Sequence, residues 1–379
     1  MEDLVLGQGY PLETYPVETY DGFILRLYRI PYGKAAAGDG GGPRPAVLIA
    51  HGLTEASSSW VGLDPESSMG FFLADAGFDV WMANARGNTF SRGHRHYRST
   101  DLGYWSSSID EVALLDVPAN VDYVLRATGR RQLALVGYSQ GCSAALMMLS
   151  ARPEYNDKLW LLLLLAPVVF AEEVKAPYLR KMALDGSAEL LLNAGMGQNL
   201  HNPMTHAISS GCHGAREAAW CYGLMAAMGP GPGPGVQPED LPRIAAVYPS
   251  SVGARNLLHW SQWVQKAEGL VMFDYGTDCP GDNPKPYRET CNQARYGQDT
   301  PPVYDLSNVV ARAAVIQGAD DLMSTKEDSE KLLKAWRADV VMRQLMPAVG
   351  HTSFQWARDP VMKDDIINVL RKYSPTIRR

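Results

Sequence analysis

The chain has 379 residues, of which 46% are hydrophobic and 20% are charged. This composition is typical of a folded globular protein and excludes a disordered chain. The formal net charge of −6 gives no sign of the clustered basic surface that nucleic-acid binding requires, so we expect no nucleic-acid partner. The length exceeds that of most single domains, and we expect one core that carries an inserted segment.

The longest apolar run, residues 159–170, is much shorter than the roughly 20 residues that a membrane-spanning helix needs. It predicts a buried strand, and we expect no transmembrane segment. The first seven residues lack the basic and long apolar regions of a signal peptide, so the sequence predicts no targeting segment at that end.

Short apolar or β-branched runs alternate with helical patterns along the chain. They predict strands at residues 23–30, 46–50, 78–84, 133–138, 159–167, 313–317 and 340–346. Continuous apolar strands that alternate with helices indicate a mainly parallel sheet covered on both faces. The sequence therefore predicts an α/β fold.

The strands at 159–167 and 313–317 are separated by far more residues than a simple loop contains. We interpret residues 1–170 and 306–379 as the two parts of the core, and residues 171–305 as an inserted, mostly helical cap. The Gly-Pro stretch at 228–235 reads as a hinge or surface loop, with a plain linker as the alternative.

The segment Gly137-Tyr138-Ser139-Gln140-Gly141 follows a predicted strand and precedes a helical pattern. A nucleophilic serine needs this context, because a sharp strand-to-helix turn exposes its hydroxyl and flanking glycines relieve crowding. We therefore predict that Ser139 is a catalytic nucleophile. The alternative is a tight structural turn.

A serine hydroxyl needs a neighbouring base to take its proton, and that base is oriented by a carboxylate. His351 follows the last predicted strand, and Asp320 and Asp321 follow the strand before it. Both positions come after Ser139, in the chain order that this fold uses. We predict His351 as the base and Asp321 as the acid, with Asp320 as the alternative acid. A structural alternative for Asp321 is a solvated turn acid that caps the next helix.

Two backbone N–H groups must stabilise the negative charge of the reaction intermediate. The expected donors are Gln140, directly after the nucleophile, and Leu53, in the turn after an early strand. His51 precedes Ser139 in the chain and therefore has the wrong order for the base. We interpret it as a hydrogen-bonded structural residue.

Longer motifs give a closer resemblance. The stretches are YPVETYDGFIL from Tyr15, HGLTEASSSW from His51, FDVWMANARGNTFSRGH from Phe78, GYSQG from Gly137, NLLHWSQWV from Asn256 and HTSFQWARDP from His351. In these motifs the chain resembles the acid lipase family, which includes gastric and lysosomal acid lipases. The resemblance implies an α/β-hydrolase fold with a cap. It also implies a triad of Ser139, Asp321 and His351, with Leu53 and Gln140 as oxyanion donors.

The same resemblance implies a cap disulfide between Cys212 and Cys221. A second disulfide between Cys279 and Cys291 is a hypothesis that rests on their proximity in the sequence. Cys142 is expected to be a buried, inert thiol. The cysteine spacings do not fit a zinc site, and the predicted chemistry needs no metal or organic cofactor.

The resemblance favours secretion or the lumen of a lysosome or vacuole, although the sequence contains no signal peptide and no Asn-x-Ser/Thr glycosylation site. Its predicted activity is hydrolysis of triacylglycerols or steryl esters at a lipid-water interface through an acyl-enzyme. Apolar stretches of the cap, at residues 190–196 and 224–228, are expected to contact lipid. Alternatives are a carboxylesterase for small soluble esters and a non-catalytic lipid-binding scaffold.

Overall fold

The computed structural model describes residues 1–36, 43–187, 189–190, 212, 220–223, 225, 231–266, 269–279 and 290–375. In these residues nine strands form a single sheet with the order β1-β2-β4-β3-β6-β7-β8-β9, and β5 pairs with β2. The strands are β1 Glu13–Glu18, β2 Phe23–Ile30, β3 Ala46–Ala50, β4 Asp79–Met82, β5 Gly93–His94, β6 Leu133–Tyr138, β7 Leu159–Leu165, β8 Ala313–Gly318 and β9 Val340–Met346. All strands from β4 through β3 to β9 pair in parallel.

Helices connect these strands. They are α1 Glu2–Leu6, α2 Met69–Asp75, α3 Ile109–Glu111, α4 Val117–Thr128, α5 Gln140–Ala151, α6 Pro177–Leu184, α7 Leu241–Val247, α8 Ala254–Lys266, α9 Asn292–Tyr296, α10 Lys326–Ala335, α11 Ser353–Trp356 and α12 Pro360–Tyr373. A π-helical turn, Val112–Asp116, joins α3 to α4. Within the described residues no helix is long and apolar enough to span a membrane.

The central strands are apolar on both faces because both faces are covered. In β7, Leu162 and Leu164 pack in a core cluster with side chains of α4 and α5. The alternate residues Leu161 and Leu163 pack in a second cluster with side chains of α2 and α12. Since successive strand residues point to opposite faces, a strand between two helical layers has no polar position. The predicted α/β fold class is therefore confirmed.

Two strands were not predicted from the sequence. The first, β1, lies at the edge of the sheet and pairs antiparallel with β2. It contains Pro16, which edge strands tolerate because one row of their N–H groups has no partner strand. The second, β5, has only two residues, and so short a strand carries no periodic pattern.

In the described part of residues 171–305, helices α6 to α9 form and no strand joins the sheet. Helix α7 packs with Leu63 and Trp356 of the flanking segments in a separate hydrophobic cluster. The same cluster contains Cys212 and Cys221, which form a disulfide. The predicted second disulfide, Cys279–Cys291, is also present. The cluster attaches the inserted segment to the segments that contain Leu63 and Trp356.

The hydrogen bonds of Asn156 allow a test of stability in the core, outside the inserted segment. The Asn156 Oδ1 atom accepts hydrogen bonds from the N–H groups of Val310 and Ala311, each at 2.9 Å, next to the amino ends of β7 and β8. The Asn156 side chain is buried. We predict that Asn156→Ala lowers the free energy of unfolding by about 3 kcal/mol, because it leaves the N–H of the buried Ala311 without an acceptor and also removes the acceptor of the Val310 N–H. Chemical denaturation measures this loss. An unchanged midpoint would contradict the prediction.

Candidate active site

Ser139 lies in the sharp turn between β6 and α5, with a φ of 51°. Its N–H donates to the carbonyl oxygen of Leu165 at 3.1 Å, which fastens the turn to β7. The two flanking positions have room only for glycine. A Cβ atom on Gly137 would lie 2.8 Å from the nitrogen of Cys142, and one on Gly141 would lie 2.5 Å from a backbone oxygen of β3. The sequence folds here into the predicted strand-turn-helix, and it holds the serine in a strained conformation.

Ser139, His351 and Asp321 form a continuous hydrogen-bonded chain. His351 Nε2 lies 2.8 Å from Ser139 Oγ, where it can accept the hydroxyl proton. His351 Nδ1 lies 2.8 Å from Asp321 Oδ2 and 3.1 Å from Oδ1, and an N–H on this nitrogen donates to the carboxylate. All three residues are buried. The structure thus brings together the three residues that the sequence singled out.

The structure distinguishes the two adjacent aspartates. The Asp321 side chain is fully buried, and its Oδ1 accepts the N–H groups of Met323 and Ser324, each at 2.8 Å. Asp320 is exposed, and its own N–H donates to the carbonyl oxygen of Val349. Asp321 is therefore the carboxylate that contacts the imidazole. It is not the solvated turn acid of the structural alternative.

These side chains meet because β6, β8 and β9 are parallel. The turn at Ser139, which we call the elbow, follows β6, Asp321 lies beyond the end of β8, and His351 lies beyond the end of β9. The carboxyl ends of parallel strands share one edge of a sheet, so the three loops are neighbours. Tyr138 adds a direct link, since its hydroxyl donates to the carbonyl oxygen of His351 at 3.0 Å.

The turn at residues 52–55, which we call the 52–55 turn, lies against Ser139. A Cβ atom on Gly52 would be only 3.2 Å from the Ser139 Cβ. His51 Nδ1 lies 2.8 Å from the Gly52 carbonyl oxygen and donates to it. In the planar trans peptide between Gly52 and Leu53, the N–H points opposite to the carbonyl oxygen. The bond to the Gly52 carbonyl therefore also fixes the direction of the Leu53 N–H. In the described part of the chain, neither Leu53 nor Gln140 donates its N–H to a protein acceptor.

His51 has the structural role expected from the sequence. Its Nε2 accepts the N–H of Ala85 at 3.1 Å and lies 3.2 Å from the Asn88 side-chain nitrogen. Burial lowers the pKa of His51 to about 4, so the ring is neutral near pH 7. A neutral ring with its proton on Nδ1 can make all of these contacts at once.

Sequence reasoning missed Glu55, which is 4% exposed. Its Oε2 accepts the Gly52 N–H at 2.8 Å and the side-chain amide of Gln355 at 2.7 Å. Burial raises the pKa of Glu55 to about 7, although both hydrogen bonds and the nearby His351 oppose that shift. The only signal in the sequence was an acidic residue among small and apolar ones, two positions after Leu53.

Helix α8 reaches the site from the inserted segment. Trp260 Nε1 donates to the side-chain oxygen of Gln140 at 2.7 Å, and both side chains are buried. The bond joins the inserted segment to the first residue of α5. The position of α8 is therefore coupled to the residue that follows Ser139.

Residues 231–235, which we call the Gly-Pro strap, lie against the loop that carries His351. Thr352 Oγ1 donates to the Gly231 carbonyl at 2.8 Å and accepts the Gly233 N–H at 2.7 Å. Ser353 Oγ donates to the Pro234 carbonyl at 2.7 Å. The described part of the predicted Gly-Pro stretch is thus bonded to the site, whereas residues 228–230 lie outside the described residues.

The raised pKa of Glu55 predicts how stability changes with pH. Between its ordinary value of 4.5 and about 7, the folded state binds more protons at Glu55 than the unfolded state does. The free energy of unfolding therefore falls as pH rises through this window. Glu55→Gln removes this pH dependence. Between pH 4.5 and pH 8, we therefore expect the free energy of unfolding of the variant to rise relative to that of the wild type by up to about 3 kcal/mol. Denaturation curves at both pH values measure this; a constant difference would contradict it.

Comparison with known proteins agrees with this geometry. The family described as a partial alpha/beta-hydrolase lipase region matches residues 1–63, and the alpha/beta hydrolase fold matches residues 45–357. Human lipase member K is 31% identical, with 96% of this chain and 89% of that protein covered. Bovine gastric triacylglycerol lipase is 32% identical, with 93% and 85% covered.

Human lysosomal acid lipase/cholesteryl ester hydrolase is also 32% identical, with 98% of this chain and 91% of that protein covered. Among solved structures, a soluble variant of the Saccharomyces cerevisiae monoglyceride lipase has a TM-score of 0.54 at 15% identity, with 97% and 96% covered, and it supports the fold alone. The resemblance seen in the motifs is confirmed. The chain belongs to the acid lipase family of α/β-hydrolases, and it is a lipase of the ester-hydrolase class.

Proposed function

We propose that the substrates of this lipase are neutral lipid esters, triacylglycerols or steryl esters, and that Ser139, His351 and Asp321 cleave them through an acyl-enzyme. The hydrogen-bonded chain from Ser139 Oγ to the Asp321 carboxylate carries the proposal. The names of the relatives favour the substrate class, since they include a triacylglycerol lipase and a cholesteryl ester hydrolase.

In the acylation step, Ser139 Oγ attacks the ester carbonyl carbon while His351 Nε2 takes the hydroxyl proton. The buried Asp321 carboxylate stabilises the imidazolium that forms, because the two groups are already hydrogen-bonded. His351 then gives the proton to the leaving alcohol oxygen as the ester bond breaks. In deacylation, water repeats the attack with His351 as the base and releases the fatty acid.

The tetrahedral intermediate carries its negative charge on the former carbonyl oxygen. The Gln140 N–H belongs to the first turn of α5, where N–H groups lack intrahelical acceptors and the helix dipole favours an anion. Leu53 supplies the second N–H from the 52–55 turn, beside the Ser139 Cβ. We propose these two groups as the oxyanion hole.

Residues 171–305 are proposed to form a cap over the acyl-binding site. Ser139 is 6% exposed, so a bulky ester needs movement of the structure that covers it. Large apolar side chains of this segment face solvent, including Leu190 at 69% and Trp220 at 52% exposure, which suits contact with lipid. Most of the two apolar stretches predicted to contact lipid lies outside the described residues.

The adjacent aspartates provide a matched pair of variants. We expect Asp321→Asn to lower kcat by about 10⁴-fold, since an amide there stabilises the wrong imidazole tautomer. Asp320→Asn changes an exposed neighbour that lies apart from the imidazole, and it should leave kcat near that of the wild type. Turnover of a soluble p-nitrophenyl ester measures both. Equal losses in the two variants would contradict the assignment of Asp321.

Substrate class is tested by hydrolysis of emulsified long-chain triacylglycerol, emulsified cholesteryl ester and a soluble short-chain ester, with Ser139→Ala as the control. We expect Ser139-dependent turnover that favours the emulsions. Turnover confined to the short ester would indicate a carboxylesterase, which the closed site around Ser139 would also suit. Turnover that survives Ser139→Ala would exclude this serine as the nucleophile.

A further inference from the structure

We infer that Glu55 and Gln355 are a pair of positioning residues that hold the oxyanion turn of this enzyme against the loop of its catalytic base. The inference rests on the proposed function, because it assigns a catalytic consequence to the 52–55 turn. Neither residue touches Ser139 in the hydrogen-bond network. They influence catalysis indirectly, by holding the Leu53 N–H and the His351 imidazole in position.

One carboxylate oxygen joins the two loops. Glu55 Oε2 accepts the Gly52 N–H at 2.8 Å from its own turn and the Gln355 amide at 2.7 Å from helix α11. Glu55 is 4% exposed and Gln355 is 2% exposed, so water does not compete for these bonds. A buried polar bridge between two loops restricts their relative movement, because separating them would leave buried donors unpaired.

The 52–55 turn needs such an anchor. Thr54 has a φ of 57°, a left-handed conformation that is strained for a β-branched residue. Such strain persists only where surrounding interactions hold it. The Thr54 carbonyl accepts the Ser250 N–H at 2.6 Å, and Glu55 binds the N–H of Gly52 at the other end of the turn. The anchor is therefore Glu55 at one end and Ser250 at the other.

The bonds at Gly52 determine where the Leu53 N–H points. The Gly52 N–H is held by Glu55, and the Gly52 carbonyl is held by His51. With both ends of this residue fixed, the peptide between Gly52 and Leu53 has little freedom to rotate. Without Glu55, the Gly52 N–H loses its acceptor and one of these two restraints is lost.

Gln355 connects this restraint to the base. It lies four positions after His351, in the short helix α11 (Ser353–Trp356). The pair thus fixes the distance between the N–H that stabilises the oxyanion and the imidazole that transfers the proton. Both groups must be in place at once in the transition state.

Four variants test the inference in the full-length enzyme. Glu55→Leu removes the acceptor at similar volume, and Glu55→Gln keeps an acceptor oxygen without the charge. Gln355→Leu removes the donor. Asn156→Ala is the matched control, because its buried side-chain oxygen also accepts backbone N–H groups but lies at the opposite edge of the sheet. kcat and KM for a soluble p-nitrophenyl ester are measured with the unfolding midpoint of each variant.

We expect Glu55→Leu to lower kcat by about 10- to 100-fold at unchanged KM, a part of the roughly 10²- to 10³-fold that one oxyanion donor contributes. Glu55→Gln should restore most of kcat. Gln355→Leu should lower kcat by a smaller factor, again at unchanged KM, and it carries the test if Glu55→Leu does not fold. Asn156→Ala should lower the unfolding midpoint and leave kcat unchanged.

Folded Glu55→Leu and Gln355→Leu variants with the kcat of Asn156→Ala would overturn the inference while leaving the proposed function intact. A loss of kcat that Glu55→Gln does not restore would also overturn it, because the acceptor oxygen would then not be the feature that matters. Wild-type enzyme without any turnover that depends on Ser139 would overturn the proposed function and this inference together.

Discussion

The left-handed backbone of Ser139 is the constraint on which the rest of the site depends. A non-glycine residue with φ of 51° is strained, and it persists here because β6 and α5 are both buried on either side of it. Close packing around this turn leaves no room for side chains, because a Cβ atom on Gly137 would clash with the backbone at the start of α5 and one on Gly141 would clash with the end of β3. The same closeness brings the 52–55 turn and the ends of β8 and β9 within reach of the serine hydroxyl.

The loop that carries His351 is the second centre of organisation. It accepts a hydrogen bond from Tyr138 of β6, and it donates hydrogen bonds to the Gly-Pro strap of the inserted segment. Gln355 then ties it to the 52–55 turn. Each of these bonds comes from a different element, so the imidazole is oriented by long-range contacts. An imidazole held in this way, acting as the proposed base, need not be repositioned when substrate binds.

The sequence was sufficient where local rules decide the structure. The apolar pattern of β6 and the glycines around Ser139 predicted the elbow, and chain order predicted His351. Local rules were insufficient where the partner lies far away in the chain. Asp320 and Asp321 could not be separated by spacing, because the choice depends on which side chain is buried against His351. Glu55 was missed for the same reason, since its partner Gln355 is 300 positions away. The edge strand β1 was hidden by Pro16 and its mixed polarity.

Reactivity and access make opposite demands on this site. The proposed oxyanion donors and the imidazole of His351 must stay fixed for catalysis, whereas the buried Ser139 must become accessible to an ester. The inserted segment is bonded to both sides of the site, through Trp260 to Gln140 and through the strap to Thr352. Opening that displaced the strap would release hydrogen bonds on the loop of the base, so it would admit substrate at the expense of the geometry that cleaves it. The strap is therefore part of the geometry around His351 as well as part of the inserted segment.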